Sequence, residues 1–148
     1  MNVQASIQNK ILAFVLAGLN ITRNDAVIAQ DAGRSTDLLF GTVMAKVAAT
    51  QKWTPFIDET ATDGTSNPQG IYLGADIASA DLVAGDVVDS VICVGDAIVD
   101  LNQLVIENSK TLDTIIGVTS VNARTVRDQL AFRSIFAEDT INISSFEN

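Results

Sequence analysis

A chain of 148 residues with 47% hydrophobic side chains is long enough for one core, burying roughly two-thirds of the surface its unfolded form exposes without a disulfide or metal staple. Nine Lys and Arg against 18 Asp and Glu give a net charge of -9, which excludes a phosphate-backbone binder, because that affinity comes from cationic side chains displacing counterions. There is no histidine, so His triads, His metal sites and the commonest general base are excluded as well.

The charge is uneven. Residues 1–50 hold four basic side chains (Lys10, Arg23, Arg34, Lys46) and three acidic ones (Asp25, Asp31, Asp37), a net of +1 that leaves -10 for the rest. The chain opens with an arm whose longest apolar run, Ile11 to Leu19, is nine residues. That is far below the roughly 20 needed to span a bilayer, so no membrane partner is expected. Lys10 precedes the run, but Asn20-Ile21-Thr22-Arg23 lacks a small-x-small cleavage pattern, which argues against a secretory signal. Ile7, Ile11, Phe14 and Val15 fit one helical face, while Phe14-Val15-Leu16 fit a short buried strand, and periodicity leaves both readings open.

Ala26 to Ala29 is a short strand candidate, and Asp31 to Asp37 has the composition of a loop. In Leu38 to Ala49 the residues Thr42, Met44 and Lys46 alternate with Val43, Ala45 and Val47, the period of a strand with one face on a core. Lys52 to Ile57 is expected to pair with it through Thr50-Gln51 as a tight hairpin, with Trp53 in a core or subunit interface and Lys46 on a solvated face. Asp58 to Asn67 is a polar loop that meets a calcium-loop pattern only in part: Glu59 and Asp63 fall at ligand places, but Ala61 offers no side-chain oxygen and Gly70 stands where the bidentate glutamate belongs. No metal or cofactor is expected.

Further on, Gln69 to Gly74 predicts a strand and Ala75 to Gly85 a loop or short helix. Asp86 to Val94, apolar on both faces, predicts a central strand. Cys93, the only cysteine, lies within it as a buried structural thiol. Gly95-Asp96 reads as a turn, Ala97 to Leu101 as renewed alternation, and Asn108 to Thr119 as a short element over the sheet. Ser120 can cap a helix in which Ala123, Val126 and Leu130 share a face, and Ile135-Phe136 with Ile141-Asn142-Ile143 closes the chain as strand. No Gly-x-Ser-x-Gly elbow and no glycine-rich phosphate or dinucleotide loop occurs, and one Trp with one Tyr offers few platforms for sugars beside a carboxylate pair. A protein without catalytic residues is expected.

One set of motifs carries more. Thr22-Arg23 leads to Gly41-Thr42-Val43-Met44-Ala45-Lys46-Val47-Ala48-Ala49-Thr50-Gln51-Lys52-Trp53, then Asp63-Gly64, Pro68-Gln69-Gly70-Ile71, Gly95-Asp96-Ala97-Ile98-Val99 with Leu104, and the ending Val126 to Phe136. In order and spacing, over roughly residues 12–137, this resembles the lambda-type bacteriophage head decoration (capsid cement) protein family. Ala45 and Gln51 stand where that family often has glycine, implying altered local backbone, and Val105 to Ser120 looks like an added surface element.

The resemblance implies a mainly β (α+β) fold: a compact β-clip-like module with one or two short helices and an N-terminal arm, assembled as a homotrimer. Residues 1–24 would form the capsid-binding arm and residues 25–148 the β-rich decoration domain. It further implies a virion protein on the outer surface of the capsid head, at threefold and quasi-threefold positions, stabilising the expanded head against internal DNA pressure. The implied partners are the major capsid protein and the protein's own copies, with no nucleic acid. The arm residues expected to meet the capsid are Ile11, Phe14, Leu16, Leu19 and Arg23, against the alternative that the apolar ones pack within the trimer or the domain. A secreted or surface-displayed β-rich binding module is the competing function.

Overall fold

The computed structural model describes residues 14–117 and 123–139. In chain order its elements are β1 (Val15–Ile28), β2 (Val43–Lys46), β3 (Trp53–Pro55), β4 (Pro68–Tyr72), α1 (Ser79–Ala84), β5 (Val87–Asp100), a 3-10 turn at Leu101–Gln103, β6 (Ile115–Ile116), β7 (Arg124–Thr125), α2 (Val126–Ala131) and β8 (Ile135–Glu138). The protein is mainly β with two short helices, as the sequence predicts.

Five strands close on themselves. β3 pairs antiparallel with β2, β2 with β4 and β4 with β5, while β5 pairs antiparallel with β1, which returns to β3 through a parallel contact at Ile28 and Trp53. β8 adds parallel to the outside of β5, and β6 and β7 form a separate two-stranded ladder. Closure removes the free edges that an open sheet of these strands would present.

Because successive side chains point to opposite faces, the ring has two apolar surfaces. Ala26 and Ile28 of β1, Met44 of β2, Trp53 of β3, Tyr72 of β4 and Ile92 of β5 form one cluster, joined by Leu38, Ile77 and Leu82. All five ring strands contribute to it. Their neighbours Val43, Ala45, Ile71 and Cys93 face the other way, into a cluster completed by Phe14, Phe56, Leu112, Val126, Leu130 and Ile135. β2 is therefore buried on both faces, not half-solvated as its alternation predicts, because α2, β8 and the segment after residue 104 cover the outside of the sheet.

The hairpin between β2 and β3 is present, with Lys46 opposite Trp53, but its turn spans Ala48 to Gln51. Val47 N–H donates to the Lys52 carbonyl at 2.9 Å, and Gln51 takes a left-handed φ of 59°. The backbone there is one that a glycine would favour, and Gln51 Nε2 donates to the Ala48 carbonyl at 2.8 Å. The predicted strand start at Leu38 is too early. Leu38 makes only an isolated bridge to Ile77, and the chain bends at Gly41, where φ is 87° and a Cβ would lie 2.7 Å from the Gln103 carbonyl oxygen.

Three further expectations are corrected. Gly95-Asp96 does not turn the chain: β5 runs through it, kinked by a left-handed Asp96 with φ 49°, and pairs with β4 before the kink and with β8 after it. The closing helix starts at Val126, not near Ser120, because Arg124 and Thr125 pair with β6 and Thr125 supplies the cap. Asp128 N–H donates to Thr125 Oγ1 at 3.1 Å and Thr125 N–H to Asp128 Oδ2 at 3.0 Å, a reciprocal capping box. Ser120 and Ile141 to Ile143 lie outside the described residues.

The segment after Leu104 is no surface addition. Val105 bridges Thr42, accepts from Val43 N–H at 2.8 Å and donates to Gly41 at 3.0 Å, while Leu112 and Ile116 are buried in the outer core. Arg34, 3% exposed at its side chain, reaches across with both guanidinium ends to the Glu107 carboxylate, and Lys110 pairs with Glu59 at 2.5 Å. Among the described residues no helix is long and apolar enough to cross a membrane.

Candidate functional site

β1 runs from Val15 to Ile28 without a break at residue 24, antiparallel to β5 and with several register shifts that twist it along its partner. Of the residues expected to grip a partner, Ile11 lies outside the described residues, and Leu16 and Leu19 are positions on β1. Phe14 is fully buried, its ring 5.3 Å from that of Phe40 and inclined at 75° to it, so it fixes the start of β1 to the outer core. Arg23 is exposed, with Nε 4.0 Å from the exposed Asp25 carboxylate, a contact that solvent makes weak.

Around Arg23 the fold assembles side chains that are far apart in sequence. Lys46 ends β2 opposite Trp53 of β3. Its ammonium stands 4.9 Å from the centre of the Trp53 ring, an aromatic face that attracts a cation. Arg133, in the turn between α2 and β8, donates to Gln69 Oε1 at 3.3 Å, and its carbonyl accepts from Asp96 N–H at 3.2 Å. Burial, and then the positive charges of Arg23 and Arg133, hold the Lys46 ammonium below its ordinary value. An open hollow of about 430 Å³ runs between β1 and the β2–β3 turn, lined by Arg23, Asp25, Lys46, Lys52 and Trp53 among others.

Lys46 is therefore not the fully solvated strand residue its alternation suggests; it is half-buried over Trp53. Arg133 had no signal in the sequence at all, because its place beside Gln69 depends on the parallel docking of β8. Next to it in the chain, Phe132 is 71% exposed, with the Arg124 guanidinium 5.0 Å from its ring. Arg and aromatic side chains are residue types enriched at protein interfaces, and lysine is not.

Elsewhere the polar groups have structural partners. In the Asp58 to Asn67 loop, Asp58 accepts from Thr60 and Asp63 from Thr65, while Glu59 pairs with Lys110. These bonds hold all three carboxyls below their ordinary values, a hydroxyl donor leading for each aspartate and Lys110 for Glu59. Cys93 is fully buried, and burial pushes its thiol up, away from the reactive thiolate. Among the described residues there is no cluster of three or more His, Cys, Asp or Glu side chains able to hold a metal ion.

The closed β fold and the partnered loop carboxylates are those of a compact β module. The model of the family described as bacteriophage lambda head decoration protein D matches residues 7–116. The chain belongs to that family, and with it to the structural virion proteins displayed on the outside of the capsid head. No curated protein and no solved structure matched the chain.

Proposed function

We propose that the protein binds the outside of the expanded phage head as a homotrimer at threefold and quasi-threefold positions and stabilises the shell against the pressure of packaged DNA. The observation that carries this reading is membership of the head decoration family over residues 7–116. The partners are the major capsid protein and two further copies of the chain. Nucleic acid is not among them, consistent with a net charge of -9.

In this reading the arm residues, including Ile11, Leu16, Leu19 and Arg23, meet the major capsid protein, while Phe14 ties the arm to the body. Three arms on one trimer raise one another's effective concentration at the shell, so weak contacts give firm attachment. A strand-forming arm can add to a sheet edge of the shell, where main-chain bonds supply affinity and alternate side chains specificity. The test is to remove residues 1–13, which leaves Phe14 and β1 in place. The truncated protein is expected to keep the wild-type number of copies per assembly and the wild-type thermal melt, and to lose attachment to undecorated expanded capsids. Attachment at wild-type strength would refute the arm's role.

A further inference from the structure

We propose that the Phe132 and Arg124 side chains of each copy seat in the groove between α1 and the start of β5 of the next copy, and that this is the contact that builds the homotrimer. It rests on the homotrimer reading above. Phe132 is 71% exposed, and the Arg124 guanidinium lies 5.0 Å from its ring centre while donating to the neutral Gln129 amide oxygen at 3.1 Å. Arg124 makes no ion pair among the described residues, so the two form an aromatic knob with an uncancelled positive charge beside it. The groove is the complement. It is an open hollow of about 760 Å³, with the apolar Ala84, Val87 and Val88 and the carboxylates Asp81, Asp86 and Asp89 in its lining. Val88 is 62% exposed there. Lys52 meets Asp86 at 2.5 Å, but Asp81 and Asp89 make no ion pair among the described residues.

Covering a phenyl ring and a valine that both stand in water favours association, and an arginine beside the ring adds a charge-assisted bond to a carboxylate of the groove. One copy does not fill its own groove. Phe132 precedes Arg133, whose carbonyl accepts from Asp96 N–H at 3.2 Å, whereas the groove lies along Val87 to Val91. The strand from Asp89 to Asp96 spans roughly 23 Å at about 3.3 Å per residue. Charge and shape select the occupant, because the chain itself carries both halves of the contact. Two different surfaces that complete each other join copies head to tail, and such a contact leaves neither half open only when the ring closes. Three identical contacts close it in a trimer. The major capsid protein is the competing occupant of either half.

The experiment measures mass in solution for the wild type, for Phe132→Asp, which spoils the knob, for Val88→Arg, which spoils the groove, and for the two variants mixed in equal amounts. Both side chains are exposed, and Phe132→Ser with Val88→Ser repeats the comparison without a new charge should either variant misfold. Expected are a wild-type trimer and, in each variant alone, dissociation at concentrations at least about tenfold higher than for the wild type. The mixture is expected to give dimers: the intact knob of the Val88→Arg copy fits the intact groove of the Phe132→Asp copy, and the row of contacts stops there. Variants that dissociate only where the wild type does would overturn the proposal, and if they also lost attachment to undecorated expanded capsids the two surfaces would belong to the shell contact. A mixture that stays monomeric would overturn it too. A monomeric wild type would remove the homotrimer reading itself, an outcome distinct from a wild-type trimer that the variants share.

Discussion

Gly70 shows how little room the closed sheet leaves. A Cβ at this position would lie 2.7 Å from the Cys93 carbonyl oxygen, 2.8 Å from Ile92 Cγ2 and 3.2 Å from the Trp53 ring, and the nearest of these is backbone that cannot step aside. Gly70→Ala is therefore expected to destabilise the fold by about 1–3 kcal/mol, the usual range for overpacking, measured by urea unfolding followed through Trp53, the only tryptophan. At the other end of β4, Tyr72 is buried and donates to the Ala75 carbonyl at 2.6 Å. Burial, with Asp76 adding to it, leaves its phenol pushed up to about 12. As the only tyrosine, it can be followed alone by absorbance: the native protein should show no phenolate through the pH range near 10 where a free tyrosine ionises. Ionisation there in the folded state would show that Tyr72 is not enclosed.

At the scale of elements, the segment after Leu104 joins the two ends of the architecture. Its ion pair sets Glu107 against an Arg34 side chain that is 3% exposed and that also donates to the Asp37 carbonyl at 3.2 Å. Removing one partner of such a pair leaves the other charge buried without compensation. Glu107→Gln should cost about 3 kcal/mol by thermal or urea unfolding. A loss within experimental error would mean that this segment is only draped on the sheet.

What the chain revealed before folding follows the range of the interactions. The β2–β3 hairpin was legible because Val43 to Lys46 and Trp53 sit within one local pattern, and the burial of Cys93 because the residues around it are apolar on both faces. Gly95-Asp96 has turn chemistry, and only the pairing of β5 with β4 on one side and β8 on the other shows that the strand continues. The helix starts at Val126 for the same reason, since Thr125 becomes a cap only once Arg124 has been drawn into the β6–β7 ladder. The bond from Arg133 to Gln69 is illegible in the sequence, as it depends on the parallel docking of β8 on β5.

For the whole molecule, acid is the expected weakness. Hydrogen bonds and cations hold Asp58, Glu59, Asp63, Asp86 and Asp128 below their ordinary values in the folded protein: Thr60, Lys110, Thr65, Lys52 and Thr125 respectively supply the leading contact. A carboxyl depressed on folding contributes stability that is present above its unfolded value, near 4, and is lost as pH falls through the folded one. The unfolded chain thus binds more protons in that window, and the melting temperature should fall steadily below about pH 4. A melting temperature that stayed level or rose there would contradict the assigned contacts.

The central proposal is that this closed β body attaches as a homotrimer to the outside of the expanded phage shell. Its most direct test is to mix the purified protein with undecorated expanded capsids of its own phage and image the particles. Added density at the threefold and quasi-threefold positions, in trimers, is the predicted result; intact capsids that gain no density at those positions would contradict it.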